Sequence, residues 1–431
     1  GGGVAGMAAA VALGRSGVRV ILLEKKKLLG GRVYSIPDRR SGDWVDNGQH
    51  ALMGCYHQTF AFLREIGTFA GVSMQPRIDV PYRGADGLRD RLRGYPLPGP
   101  FHLLGGLFSM RTLTWRDKVL AIYFGMQMKR KHAVREAETV AEFCKRLGQS
   151  PVLCQRMWDS IALSALNEET AQADASLLQT VLQQAFFSSS QDSRMALAVV
   201  PLQKLHGESL IHFIEQRQGN VLFDRRVERL EWEGNRVRAV VLTSGERIAC
   251  GFCISAIPAP AGKKLIQNSG LDDRIAIPDL GESPILSVYL WFEKPLSDEP
   301  FCCLQDCTYE WIFHRNNFMN PGEHRLYCVC LLVSAARRLQ NRSREELVKC
   351  AIDDIHRTYP EPIQQDPCHA LVFWEPHATF SATPAHVQKR LGSRTGLENL
   401  FLAGDWTQTG LPATIEGAVV SGNRASQYIL T

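Results

Sequence analysis

Glycines at positions 1, 3 and 6 fit the pattern G-x-G-x-x-G, and a run of small apolar residues from Ala8 to Leu13 follows them. Gly17 then breaks the chain, and Val18–Leu23 is an apolar stretch rich in β-branched residues that ends in the acid Glu24. Each part has a binding chemistry. The first glycine makes a tight turn, the second lets backbone N–H groups approach a pyrophosphate, and the third lets helix and strand pack closely. The N-terminus of the helix opening at Val4 and Ala5 adds partial positive charge facing the phosphates. Glu24 stands eighteen residues after Gly6, where a carboxylate accepts hydrogen bonds from an adenosine ribose and repels a 2′-phosphate. The pattern predicts a dinucleotide site.

Two further clusters fit the same ligand. Lys25 precedes a loop carrying Gly30, Gly31 and Arg32, which can pass close to a cofactor and neutralise its phosphates. Near the other end, Leu400–Asp405 reads as a strand closing on Gly404-Asp405, and Pro412-Ala413-Thr414-Ile415 opens a helix with proline suited to its first turn. A second carboxylate and a second helix N-terminus suit a long, doubly phosphorylated cofactor with an electron-accepting ring.

The elements that must hold these groups follow from periodicity. A strand is expected ahead of Gly1, because the glycine motif ordinarily follows one. Residues 56–69 have helical apolar spacing. Residues 76–100 are rich in Pro, Gly and Arg without a period and read as a boundary. Residues 139–190 and 202–217 are helical in pattern, whereas 227–233, 236–242 and 247–249 form a three-stranded meander. Strands are expected at 285–292, 311–314, 325–333 and 370–374, and Ser343 with Glu346 makes a capping box for a helix ending before Pro360. The expected architecture is α/β: a Rossmann-like dinucleotide domain with an inserted α+β substrate domain containing a mostly antiparallel sheet. Residues 1–75, 196–275 and 391–431 are assigned to the first, and 76–195 and 276–390 to the second.

The 431 residues suffice for two domains, and 45% apolar content describes a globular chain. No run of eighteen uncharged apolar residues occurs. A net charge of +5 without any nucleic-acid motif gives no reason to expect a nucleic-acid partner. Twelve cysteines are scattered, and the pair Cys250/Cys253 runs into an apolar strand with no second pair at zinc spacing. Reduced thiols, a cytoplasmic location and no metal site are expected. Residues 100–132 interleave Phe101, Leu104, Trp115, Tyr123 and Met126 with Arg111, Arg116, Lys118, Lys129, Arg130 and Lys131. They read either as core helices with solvated lysines or as a peripheral membrane surface on the inner face.

The two ends of the chain, 1–32 and 402–422, resemble the FAD-binding fold (GR2-type) shared by flavin amine oxidases and phytoene desaturases. Asp46-Asn-Gly-Gln-His50, Gly54-Cys-Tyr56, Ala165-Leu-Asn167, Pro284–Pro295, Ala378-Thr-Phe380 and Leu411–Gly417 are similar to the hydroxysqualene dehydroxylases. The resemblance implies FAD as cofactor, with Gly1, Gly3, Gly6, Glu24, Lys25 and Arg32 on its ADP half. Val227 would meet adenine, Asp405 the ribitol or pyrophosphate, and Thr414 and Ile415 the reduced ring. Gly48, Gln49 and His50 would lie near the isoalloxazine. At the position of the flavin-facing lysine of many amine oxidases stands Ser287, and Thr414 replaces their aromatic cage residue. Both departures favour an apolar triterpene over an amine, with Ser287 and Trp374 on the substrate side. The implied reaction is reductive removal of a hydroxyl to give squalene, with a carotenoid-type desaturase or an amine oxidase as alternatives. His50 and His377 are the candidate proton donors. The electron donor is not legible in the sequence.

Overall fold

Helix Val4–Arg15 begins directly on the glycine motif and stops where Gly17 takes a left-handed φ of +80°. Val4 to Val11 are all buried, so the helix has no solvent-facing stripe over its first two turns and needs small residues on every side. Helix Ile415–Leu430 crosses it closely: a Cβ on Gly422 would sit 2.2 Å from the Ala5 carbonyl oxygen. This contact draws together two helix ends separated by about 410 residues of sequence.

The computed structural model describes residues 1–130, 132–319, 326–359 and 365–431. The expectations that touched Lys131, Arg325 and Pro360 lie outside them.

Two parallel strand pairs flank the glycine turn, Ile21–Leu23 with Asn220–Leu222 and Cys253–Ser255 with Leu400–Leu402. The meander Val227–Glu233, Arg236–Leu242, Arg247–Ala249 is antiparallel throughout. A seven-stranded sheet runs in the spatial order His369–Thr379, Ser283–Phe292, Tyr327–Val333, Trp311–His314, Phe301–Gln305, Asp79–Gly84, Arg89–Arg93. Only the pairing of Phe301–Gln305 with Asp79–Gly84 is parallel. Alternation sorts strand Ser283–Phe292: Tyr289 and Trp291 join the core that also holds Leu107, Phe124 and Trp158. Leu286, Val288 and Leu290 pack instead with helix Arg344–Thr358 on the far face.

Helices His102–Ser109, Trp115–Met128, Val140–Arg146, Asp159–Leu166 and Ala175–Ala185 cover the near face. Ser343 and Glu346 make the expected reciprocal cap.

Three differences from the sequence expectation have clear causes. Residues 76–100 contain two strands at the sheet edge, hidden because Arg89, Arg91 and Arg93 occupy alternate positions of the last strand. Phe301–Gln305 is buried at every position and carries no alternation to detect. Strand Met195–Ala198 pairs with Ala51–Met53 and Val72–Met74, so the boundary expected between 195 and 196 cuts through a strand.

Candidate active site

One cavity of about 1820 Å³ runs from the glycine turn, past the N-terminus of helix Ile415–Leu430, to an apolar chamber under the helices. Gly1, Gly3, Val4, Ala5, Glu24, Lys25, Gly30, Gly31 and Arg32 line one end, with Val227 beside them. Gly48, Gln49, His50, Gly404, Asp405, Pro412, Ala413, Thr414 and Ile415 line its middle, and His377 also reaches it. Ile78, Leu103, Leu107, Ile122, Phe186 and Phe187 wall the far end.

The glycines leave the room a cofactor needs. A Cβ on Gly3 would meet nothing closer than Gly31 Cα at 3.8 Å, so it would project into the cavity. On Gly6 it would lie 2.0 Å from the Gly1 carbonyl oxygen, which makes this the packing glycine rather than a lining one. Helix Val4–Arg15 has neither a side-chain cap nor an acid in its first turn, so its positive end is open to an anion. Glu24 is buried and accepts the Gly2 amide at 2.7 Å on one oxygen and the Lys26 amide at 2.8 Å on the other. Each oxygen keeps a lone pair for a ribose hydroxyl. The cradle therefore fits the ADP half of a dinucleotide.

At the second helix end, Thr414 Oγ1 accepts from the Gly417 amide at 3.1 Å, leaving the first-turn amides of Ile415 and Glu416 outside the intrahelical ladder. Arg32 joins the two halves of the site, donating to Asp405 at 2.5 Å and to the Ala378 carbonyl at 2.7 Å. Glu416, which also lines the cavity, has its carboxylate engaged by a neighbouring helix. Its carboxylate accepts from the amides of Gln58 and Thr59 and from the Thr59 hydroxyl, capping helix His57–Glu65.

Segment 46–50 is held by residues the sequence reading missed. Arg315 donates to Asp46 at 2.9 Å, to Gln49 Oε1 at 3.2 Å and to the Trp44 carbonyl at 2.8 Å, and both ion-pair partners are buried. Ser35 donates to the other Asp46 oxygen at 2.5 Å. Arg390, also buried, donates to the carbonyls of Asp405, Trp406, Thr407 and Leu411 and so fixes the loop ahead of the second helix. A lone arginine far away in sequence carries no local signal of such a role.

Ser287 lies directly behind segment 46–50: a Cβ on Gly48 would come within 3.0 Å of Ser287 Oγ. Its hydroxyl is fully buried without a hydrogen-bond partner among the described residues, and it does not line the cavity, which corrects its assignment to the substrate side. Trp374 does not reach the cavity either. It stands opposite Leu286 and packs on the far face of the sheet, which corrects its assignment to the substrate side. His377 is largely exposed and paired with Glu282 at the rim. His50 is at the centre, and burial pushes its pKa below the ordinary histidine value, against a smaller upward pull from Asp46. His206, unremarked in the sequence, lies nearby and is pushed down to about 4, first by burial and then by His50.

This geometry is that of an extended flavin-nucleotide site, and the chain belongs to the flavin containing amine oxidoreductase family, whose model matches residues 4–430. It is a flavoenzyme with FAD as cofactor. Over its full length it is 28% identical to the hydroxysqualene dehydroxylase of Rhodopseudomonas palustris and 27% to that of Zymomonas mobilis, covering 97% and 98% of those proteins. A probable zeta-carotene desaturase of Synechococcus elongatus is 23% identical over the whole chain and 97% of its own length. Among solved structures, an oxidoreductase from Methanosarcina mazei superposes with a TM-score of 0.76 at 13% identity, covering 99% of this chain and 98% of that one. A putrescine oxidase gives 0.68 at 15% identity, covering 100% and 97%. These two share the fold.

Proposed function

We propose that this enzyme reductively removes the hydroxyl of hydroxysqualene, giving squalene and water. The observation that carries the reading is the continuity of the cavity, in which the groups fitted to a flavin nucleotide open directly into an apolar chamber. The full-length similarity to hydroxysqualene dehydroxylases supports it. Reduced FAD, when bound, supplies the hydride that replaces the hydroxyl. The protein's part would be to hold the cofactor with Asp405 at the ribitol or pyrophosphate and with Gln49 and the Ile415 helix end at the ring, to exclude water with the apolar wall, and to orient the carbon that loses oxygen. Neither Ser287 nor Thr414 offers the charge or aromatic face that would hold an amine.

The chamber opens beside a surface suited to a lipid layer. Phe101 is 56% and Trp115 72% exposed, with Val119 and Met126 also outward, and the exposed Arg116 and Lys129 lie among them in sequence. Phe101, Met126 and Lys129 also line the cavity, so we place its mouth on the membrane. Among the described residues no helix is long and apolar enough to cross one.

The test is anaerobic mixing of reduced holoenzyme with hydroxysqualene. Flavin reoxidation with formation of squalene is expected. A flavin that stays reduced refutes the reading, and bleaching of oxidised enzyme by a phytoene-like substrate would replace it with a desaturase.

A further inference from the structure

His50 lines the cavity beside Gln49, and the structure fixes which of its ring nitrogens carries a proton. Asn47 Nδ2 donates to the Arg32 carbonyl at 2.9 Å, and Asn47 Oδ1 accepts the Tyr34 amide at 3.3 Å. These two bonds orient the amide group. The atom it presents to His50 is therefore the oxygen, 3.1 Å from His50 Nε2. A carbonyl oxygen cannot donate, so Nε2 holds the ring proton. Burial keeps the ring uncharged at neutral pH. Nδ1 is then a lone-pair acceptor, and it forms no hydrogen bond with the described residues.

We propose that His50 Nδ1 accepts the hydroxyl hydrogen of the substrate, so that His50 selects a hydroxylated polyprenyl chain over the same chain without the hydroxyl. The inference rests on the dehydroxylase reading and changes one part of the sequence expectation. In this tautomer Nδ1 has no proton to give, so protonation of the departing oxygen falls to another group. Accepting the O–H bond also leaves the alcohol oxygen more electron-rich and easier to protonate. The product lacks the donor and loses this contact, which favours its release.

Two measurements on the oxidised holoenzyme, which cannot turn the substrate over, test this. In ¹⁵N NMR of histidine-labelled protein, His50 should show a protonated Nε2 and an unprotonated Nδ1; a protonated Nδ1 overturns the proposal without any variant. In titrations followed by flavin absorbance, His50→Phe should weaken hydroxysqualene binding about tenfold, the worth of one hydrogen bond. Squalene binding should change less than threefold, and His50→Asn, which can return an acceptor to the Nδ1 position, should restore part of the preference. If His50→Phe keeps the wild-type preference while the wild type forms squalene, the role of His50 is wrong and the function stands. If the wild type shows no preference and forms no squalene, the function itself fails.

Discussion

Replacing Arg315 by methionine tests whether a buried ion pair holds the segment that carries Gln49 and His50. The Arg315 and Asp46 side chains are 5% and 3% exposed and 2.9 Å apart. Without the guanidinium, the buried Asp46 carboxylate keeps, among the described residues, only the neutral Ser35 hydroxyl as a donor. Removing one partner of a buried pair costs about 3–5 kcal/mol, most of it the penalty of the stranded charge. For 431 residues, the unfolding entropy is about 0.9 kcal/mol/K, so the melting temperature should fall by about 3–6 °C. Asp46→Asn should be damaging for the mirror-image reason. The double variant should recover at least about 2 kcal/mol of the summed losses, because no charge is left unpaired. Calorimetry of the four holoproteins gives the cycle, and flavin retention on dilution reports the loosened Gln49. An Arg315→Met protein melting within 1 °C of wild type, or fully additive losses, would refute the assignment.

Two other outcomes follow from the same structure. Gly6→Ala should purify with little bound FAD, read from the ratio of flavin to protein absorbance, since its Cβ would lie 2.0 Å from the Gly1 carbonyl oxygen; full flavin content would contradict the packing role. Stability should also fall with pH below 6.5. His206 is pushed down to about 4 and His314 to about 3, each chiefly by burial. Between these values and about 6.5 the unfolded chain binds the protons that the folded protein refuses. The stability lost at pH 5 relative to neutrality is therefore about 2 kcal/mol per histidine. Urea unfolding at pH 7 and pH 5 measures it, and His206→Leu should remove its share of about 2 kcal/mol; an unchanged pH dependence would show that His206 is not protected from protonation.

The parts of this protein legible in its sequence are those built from local rules. A glycine turn, the helix it opens and the acid after the next strand are fixed by backbone conformation over about twenty-five residues. Gly1 to Glu24 therefore announce a nucleotide cradle without tertiary information, and Gly404-Asp405 with Pro412–Ile415 announce its counterpart. The meander and the Ser343–Glu346 cap are local for the same reason. Tertiary structure decided what depends on which distant segments share a space. The sheet edge at 79–93 and strand 301–305 become strands through their neighbours. Trp374 has an apolar character suited to either face, and only register against Leu286 sends it to the far one. Arg315 and Arg390 gain their roles from partners brought close by the fold, since a guanidinium's long reach leaves no spacing to read. His50 joins the two cases. Its place beside Asn47 is local, but its tautomer follows from how Arg32 and Tyr34 turn one amide, and a proton's position is set by the nearest acceptor in three dimensions.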